Sequence, residues 1–183
     1  MLLECYMNAM LQEFHDTLVQ GLRRSSIQKT SEWAEMYRMI NNKPWSFANY
    51  PWSKEMHDCD YEIMVGQKSA QVGFTEVALN KTFKAIDIDR KSVLYILPAT
   101  TPDAGDFSKG RFDPALEASE HLSRIFTNVS NIGHKRSGGA NLYIRGSHSR
   151  SQLKSVPAAL LIFDEVDEMS QENIPLGLER SSG

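Results

Sequence analysis

Apolar side chains recur with two different periods along the chain, and each period predicts a different kind of element. In residues 1–24 they return every three or four positions, which predicts an amphipathic helix. The same helical spacing marks residues 77–86. Segments rich in branched and aromatic residues predict strands at 61–65, 92–97, 142–144 and 158–163. Strands that alternate with helices favour an α/β fold in which helices cover both faces of a mostly parallel central sheet.

Two carboxylates follow the last predicted strand, because its apolar run leads directly into Asp164 and Glu165. The carboxyl end of a parallel strand is where open α/β sheets bind their ligands. One carboxylate at such a place can hold Mg²⁺ while the other polarises the water that attacks ATP. The alternative interpretation is a strand that merely ends in a charged turn.

A loop of small residues separates the strand at 61–65 from the helix that follows it. This arrangement, with the helix opening on Thr75, is typical of a phosphate-binding loop. The standard pattern places lysine before that threonine, whereas here Phe74 precedes it and Lys68 stands at the start of the loop. Lys68 can still approach the β- and γ-phosphates, and Thr75 can still reach the metal. Backbone N–H groups of the loop can still surround the phosphates; the residues concerned are Lys68, Ser69, Ala70, Gln71, Val72, Gly73, Phe74 and Thr75. An ordinary turn between strand and helix is the alternative.

The charge of the chain limits how it can bind DNA. A net charge of −3 excludes an overall basic surface, so any contact with DNA needs a local patch. The most basic segment is 133–154. It is either a solvated face, a set of DNA phosphate contacts, or the source of an arginine, Arg145 or Arg150, that reaches a nucleotide of its own or a neighbouring subunit. Two cysteines are too few for a disulfide framework, and no apolar stretch is long enough to span a membrane.

Six segments occur in an order that resembles a known family: Ser31–Ala34 with Tyr37–Arg38, Pro44–Phe47, Lys68–Thr75, Tyr95–Pro98, Phe107–Pro114 and Leu161–Asp167. Together they resemble the N-terminal ATPase part of the large terminase subunit of tailed bacteriophages, in its lambda-like branch. The displaced lysine of the phosphate loop is the specific feature. The carboxylate strand is less specific, because helicases share it.

The resemblance implies a P-loop NTPase fold that binds and hydrolyses ATP with Mg²⁺. Lys68 would take the role of the phosphate-loop lysine, and Glu165 would activate water. Thr75 and Asp164 would coordinate Mg²⁺. The implied function is a motor that couples hydrolysis to the translocation of double-stranded DNA into a procapsid.

Two other functions compete with this one. The first is a helicase-like translocase, because Asp164–Asp167 resembles a DEAD-type box; helicases, however, keep the Gly-Lys-[Ser/Thr] order that this loop lacks. The second is a non-hydrolysing assembly or docking module whose degenerate P-loop only organises the fold.

The resemblance also implies an organisation and a set of partners. We expect a helical extension at 1–30 and an ATPase domain at 31–183, C-terminally truncated and without the nuclease domain that such proteins carry. The implied partners are double-stranded DNA, the small terminase subunit and the portal protein. The helix at 1–24 is a candidate docking element for the small subunit; the alternative is an amphipathic helix that packs on its own domain. A homo-oligomeric ring in the host cytoplasm, at the portal vertex of the procapsid, is the implied working form.

Overall fold

A computed structural model describes residues 10–12, 14–15, 17–19, 21–22, 26–67, 69, 72–127, 129–154 and 156–179. The described residues between 10 and 22 are helical, as their apolar spacing predicts; the rest of the predicted helix at 1–24 lies outside the described residues. Five apolar side chains of this helical part are exposed: Met10, Leu11, Phe14, Leu18 and Leu22. Within the described part of the chain, no helix is both long and apolar enough to cross a membrane.

Two short helices and a hairpin precede the sheet. They are α1 (Thr30–Tyr37), β1 (Met39–Ile40), β2 (Lys43–Pro44) and α2 (Ser53–Asp58), with a 3-10 turn at Phe47–Asn49. Asn41 and Asn42 form the hairpin turn with φ of 51° and 59°, a conformation that asparagine tolerates better than most residues. The Asp58 carboxylate accepts hydrogen bonds from the backbone N–H and hydroxyl of Ser31, at 2.9 and 2.8 Å, and so fastens α2 to α1.

The central sheet has five strands in the order β4-β5-β6-β3-β7. Their bounds are β3 Val93–Leu97, β4 Val129–Asn131, β5 His134–Ser137, β6 Ala140–Gly146 and β7 Leu160–Phe163. β3 lies between two parallel partners, so that Val93 pairs with Leu142 on one side and Leu160 on the other. β5 pairs antiparallel with β4 and β6. A mixed α/β fold with a mostly parallel sheet is therefore confirmed.

Both faces of β3 are buried, which explains its unbroken apolar run. Tyr95 faces the main core, where α3 (Phe74–Asp87) contributes Leu79 and Phe83. Ile96 faces a second cluster on the opposite side of the sheet, which the segments before and after β7 complete. The sheet is thus covered on two sides.

Helical segments connect the strands. Between β3 and β4 they are Thr100–Ala104, Gly105–Phe107, Ser108–Phe112, Asp113–Ala118 and Glu120–Ile125. Arg150–Lys154 connects β6 to β7. After β7 come two 3-10 turns and a helix, at Val166–Glu168, Gln171–Asn173 and Ile174–Leu178.

The strand predicted at 61–65 is wrong, because these residues form no strand and lie in solvent. Tyr61 and Ile63 are each 79% exposed, and Val65 is 93% exposed. Strand propensity is realised only where neighbouring side chains bury the residue, and none does so here. Among the described strands β7 therefore pairs with β3 alone. Gly66, which is also exposed, lies against the ring of Phe74 in the first turn of α3.

Candidate active site

Asp164 is held at the carboxyl end of β7 by two consecutive residues of β3. Its backbone N–H donates to the Ile96 carbonyl at 3.0 Å, and its Oδ2 accepts a hydrogen bond from the Tyr95 hydroxyl at 2.8 Å. The Asp164 residue is 8% exposed. The predicted metal ligand is therefore a nearly buried carboxylate with a fixed orientation.

Glu165 differs from its neighbour in both exposure and backbone conformation. Its φ of 61° and ψ of 52° lie in the left-handed region, and its side chain is exposed. Non-glycine residues seldom adopt this conformation, and it occurs preferentially where a site requires it. The consequence is that Asp164 lies inside the protein while Glu165 lies beside solvent, where it can contact water.

The first turn of α3 carries the other half of the predicted site. Gly73 precedes the helix with a φ of 74°, which favours glycine, and Phe74, Thr75 and Glu76 form the first turn. Ser69 is exposed and Val72 and Thr75 are half-buried. Lys68, Ala70 and Gln71 lie outside the described residues, so their roles in phosphate binding stay predictions.

The two halves of the site lie on elements that pack against each other. α3 packs against both β3 and β7. Burial raises the pKa of Tyr95 well above its ordinary value; the charge and hydrogen bond of Asp164 raise it further, as do the charges of Glu76 and Glu165. The first turn of α3 and the end of β7 therefore lie close enough to act on one side chain.

Sequence reasoning did not identify Tyr95 or Glu76 as parts of this site. Tyr95 had a detectable signal, because a hydroxyl in the middle of a fully buried strand requires a partner. Glu76 had none, since its partner Arg38 is distant in sequence; their side chains form an ion pair of 2.8 Å. Arg111 approaches the same carboxylate at 3.9 Å and is 59% exposed.

The basic segment divides into engaged and exposed side chains. Lys135 is 1% exposed and donates to the Asp113 carboxylate. The Arg145 guanidinium donates to the carbonyls of Gly133 and Ile144, and burial lowers its pKa. Arg136 and Arg150 are exposed, and the Arg136 Nε also donates to the Gly138 carbonyl at 2.8 Å.

Two cavities lie beside the hairpin of β4 and β5 rather than at the Asp164 site. One, of about 620 Å³, is lined by Lys109, Asp113 and Lys135 among others. The other, of about 450 Å³, is lined by Thr100, Arg145 and Gln152 among others. Both are lined by Ile132 and Gly133 of that hairpin, and neither lining includes Asp164 or Glu165.

The residues of the site suit Mg²⁺ better than a metal ion whose ligands all come from protein side chains. Among the described residues, no group of three or more His, Cys, Asp and Glu side chains could hold an ion. Mg²⁺ needs no such group, because it keeps several waters and takes one or two protein oxygens together with phosphate oxygens. The Asp164 carboxylate and the Thr75 hydroxyl are donors of that kind.

Comparison with known proteins identifies the family. Residues 40–180 match the family model described as "Phage terminase large subunit gpA, ATPase domain". No curated protein and no solved structure matches the chain. Because the match spans most of the sequence and includes both halves of the candidate site, the chain belongs to the family of phage terminase large subunits, in the ATPase domain of the gpA type.

Proposed function

We propose that this chain is the ATPase motor domain of a DNA-packaging terminase, with a P-loop NTPase fold and a Mg-ATP site between the 68–75 loop and Asp164–Glu165. The observation that carries the proposal is geometric: α3, whose first turn holds Thr75, packs against β3 and β7, and the nearly buried Asp164 ends β7 under a hydrogen bond from Tyr95 of β3. This arrangement supports one binding site at the end of β7. The family match supports ATP as the nucleotide.

Each residue contributes a different function to this site. Asp164 and Thr75 would hold Mg²⁺, which when bound neutralises charge on the β- and γ-phosphates. Glu165, exposed beside that position, would accept a proton from the attacking water. Lys68 would contact the phosphates, and the N–H groups at the start of α3 would add the partial positive charge of the helix.

The same proposal assigns a surface to double-stranded DNA. Arg136 and Arg150 are exposed in the basic segment, and both can contact phosphates. Arg145 is already bonded to two carbonyls, so it suits positioning of the β4–β5 hairpin better than contact in another subunit.

The remaining partners follow from the packaging role. The exposed apolar side chains at 10–22 would dock the small terminase subunit, because such a stripe requires an apolar partner. A homo-oligomeric ring at the portal protein, at the procapsid vertex in the host cytoplasm, is the proposed working assembly.

Substitution of Glu165 by glutamine tests the proposal. We expect Glu165→Gln to retain ATP binding and to lower the hydrolysis rate by about 10²-fold or more, because the proton acceptor is removed. Glu172→Gln, at another exposed carboxylate after β7, is the matched control and should leave the rate unchanged. If the wild-type chain binds ATP and never hydrolyses it, with or without DNA, the non-hydrolysing module is the correct function.

A further inference from the structure

We propose that Tyr95 is a positioning residue of the ATPase site, which holds the Asp164 carboxylate in the orientation that a divalent metal requires. This inference rests on the proposed function, because it assigns Asp164 to the metal. Tyr95 itself would touch neither the metal nor the nucleotide.

The geometry leaves Asp164 little freedom. A carboxylate at the end of a strand can turn about its χ2 bond, and such turning redirects both oxygens. Here the backbone is tied to Ile96 and Oδ2 is tied to the Tyr95 hydroxyl, at 3.0 and 2.8 Å. With these two hydrogen bonds in place, the direction of the other carboxylate oxygen, Asp164 Oδ1, is determined as well.

The Tyr95 ring is itself held by two aromatic neighbours. Phe107 stacks on it with ring centroids 5.2 Å apart and planes inclined by 29°. Phe112 meets it edge-on, at 5.4 Å and 90°. Tyr95 is completely buried, so its hydroxyl is presented to Asp164 at one fixed position. Partners of metal-bound carboxylates in other proteins act in this way, and their removal weakens metal binding.

The arrangement also connects the metal ligand to a distant segment. Phe107 and Phe112 belong to the helical pieces at 105–112, whose Arg111 approaches Glu76 in the first turn of α3. Movement of that segment would therefore shift the position of the Tyr95 ring and, with it, the orientation of the Asp164 carboxylate.

Substitution of Tyr95 by phenylalanine is the direct test, because it removes one hydroxyl and keeps the ring. Two quantities test the inference: Mn²⁺ binding in the presence of the ATP analogue AMP-PNP, followed by electron paramagnetic resonance, and metal-free AMP-PNP binding in EDTA. We expect Tyr95→Phe to weaken Mn²⁺ binding about tenfold or more and to leave metal-free nucleotide binding unchanged. Tyr143→Phe, the same change on the adjacent strand β6, should alter neither quantity.

Asp164→Asn separates failure of the inference from failure of the proposed function. If Asp164→Asn abolishes Mn²⁺ binding and Tyr95→Phe does not weaken it, the positioning role is wrong and the proposed metal site stands. If Asp164→Asn also binds Mn²⁺ as the wild type does, both are wrong. Should Tyr95→Phe not fold, Phe107→Leu is the deciding variant, because it removes the half-buried ring that stacks on Tyr95 and keeps the Tyr95 hydroxyl. Unweakened Mn²⁺ binding in that variant would overturn the inference.

Discussion

The guanidinium of Arg38 and the carboxylate of Glu76 form an ion pair of 2.8 Å that joins the segment after α1 to the first turn of α3. Arg38 is 4% exposed, and a second bond, of 2.6 Å, links its Nη1 to the Met39 carbonyl. Burial lowers the pKa of Arg38, and the charge and hydrogen bond of Glu76 oppose that shift. Because Glu76 directly follows Thr75, this pair sets the position of the predicted metal-binding threonine.

Removal of Arg38 should destabilise the protein strongly. We expect Arg38→Met to lower the free energy of unfolding by about 3 kcal/mol, because it leaves the largely buried Glu76 carboxylate without its nearest cation. Lys54→Met is the control, since Lys54 and Glu35 form an exposed pair at 3.9 Å that should contribute less than about 1 kcal/mol. Denaturant titration measures both changes. Equal losses of unfolding free energy in the two variants would show that the Arg38–Glu76 pair contributes no more to stability than an exposed pair.

Burial of His57 should make stability depend on pH. Its Nδ1 donates to the Ser53 carbonyl and its Nε2 accepts from the Asn80 amide, at 2.7 and 3.0 Å, so the ring is neutral. Burial lowers the pKa of His57 below the ordinary 6.5; the Lys81 charge adds to this shift, while the Ser53 carbonyl and the Asp58 charge oppose it.

The sign of the effect follows from proton binding. As the pH falls below about 6.5, the unfolded chain binds a proton at His57 that the folded protein resists, so the free energy of unfolding decreases, by at most about 1.4 kcal/mol per pH unit. Above that pH both states are neutral and the contribution is constant. Denaturation of the wild type and of His57→Gln between about pH 5 and about pH 8 checks this. His148→Gln, at an exposed histidine, is the control. A His57→Gln variant that keeps the full slope would contradict the prediction.

The left-handed backbone conformation at Glu165 predicts that glycine at this position gives a more stable protein than alanine. Because a Cβ costs about 1 kcal/mol in this conformation, Glu165→Gly should be more stable than Glu165→Ala by about that amount. Both variants lack the carboxylate, so their difference reports the backbone alone. Comparison of the two unfolding midpoints is the measurement, and an alanine variant as stable as the glycine variant would exclude the left-handed conformation.

Gly146 should tolerate no side chain. A Cβ at this end of β6 would overlap the backbone of Ala99 and Thr100, which belong to the segment that leaves β3. We expect Gly146→Ala to cost at least about 2 kcal/mol of stability, since backbone atoms cannot move aside without shifting the strand. Gly139→Ala is the matched control, because nothing lies near its Cβ position. Similar midpoints for the two variants would disprove the close approach.

The proposed DNA surface predicts a specific salt dependence. Replacement of Arg136 and Arg150 by glutamine should reduce the slope of log K against log salt by about 1.8 in total for double-stranded DNA, or about 0.9 for each arginine that no longer neutralises a phosphate. Arg145→Gln should leave the slope unchanged and lower stability, because that guanidinium bonds to backbone carbonyls. Filter binding at several salt concentrations checks both expectations. An unchanged slope in the double variant would mean that the basic segment is a solvated face.

The sequence alone determined those elements whose signal is local. The apolar run of β3 is continuous because both faces of that strand are buried, and the helical spacing of α3 reflects one buried face. Asp164 and Glu165 could be predicted at a sheet edge because they directly follow an apolar strand. The order of motifs predicted the family, which the match over residues 40–180 confirms.

Only the tertiary structure decided which side chains meet. The bond between Tyr95 and Asp164 joins residues 69 positions apart, and no local spacing encodes it. Likewise, 61–65 has the composition of a strand but no strand beside it, because hydrogen bonding and burial in a sheet depend on a neighbour elsewhere in the chain. A sequence states what each segment can form, whereas long-range packing selects what it does form.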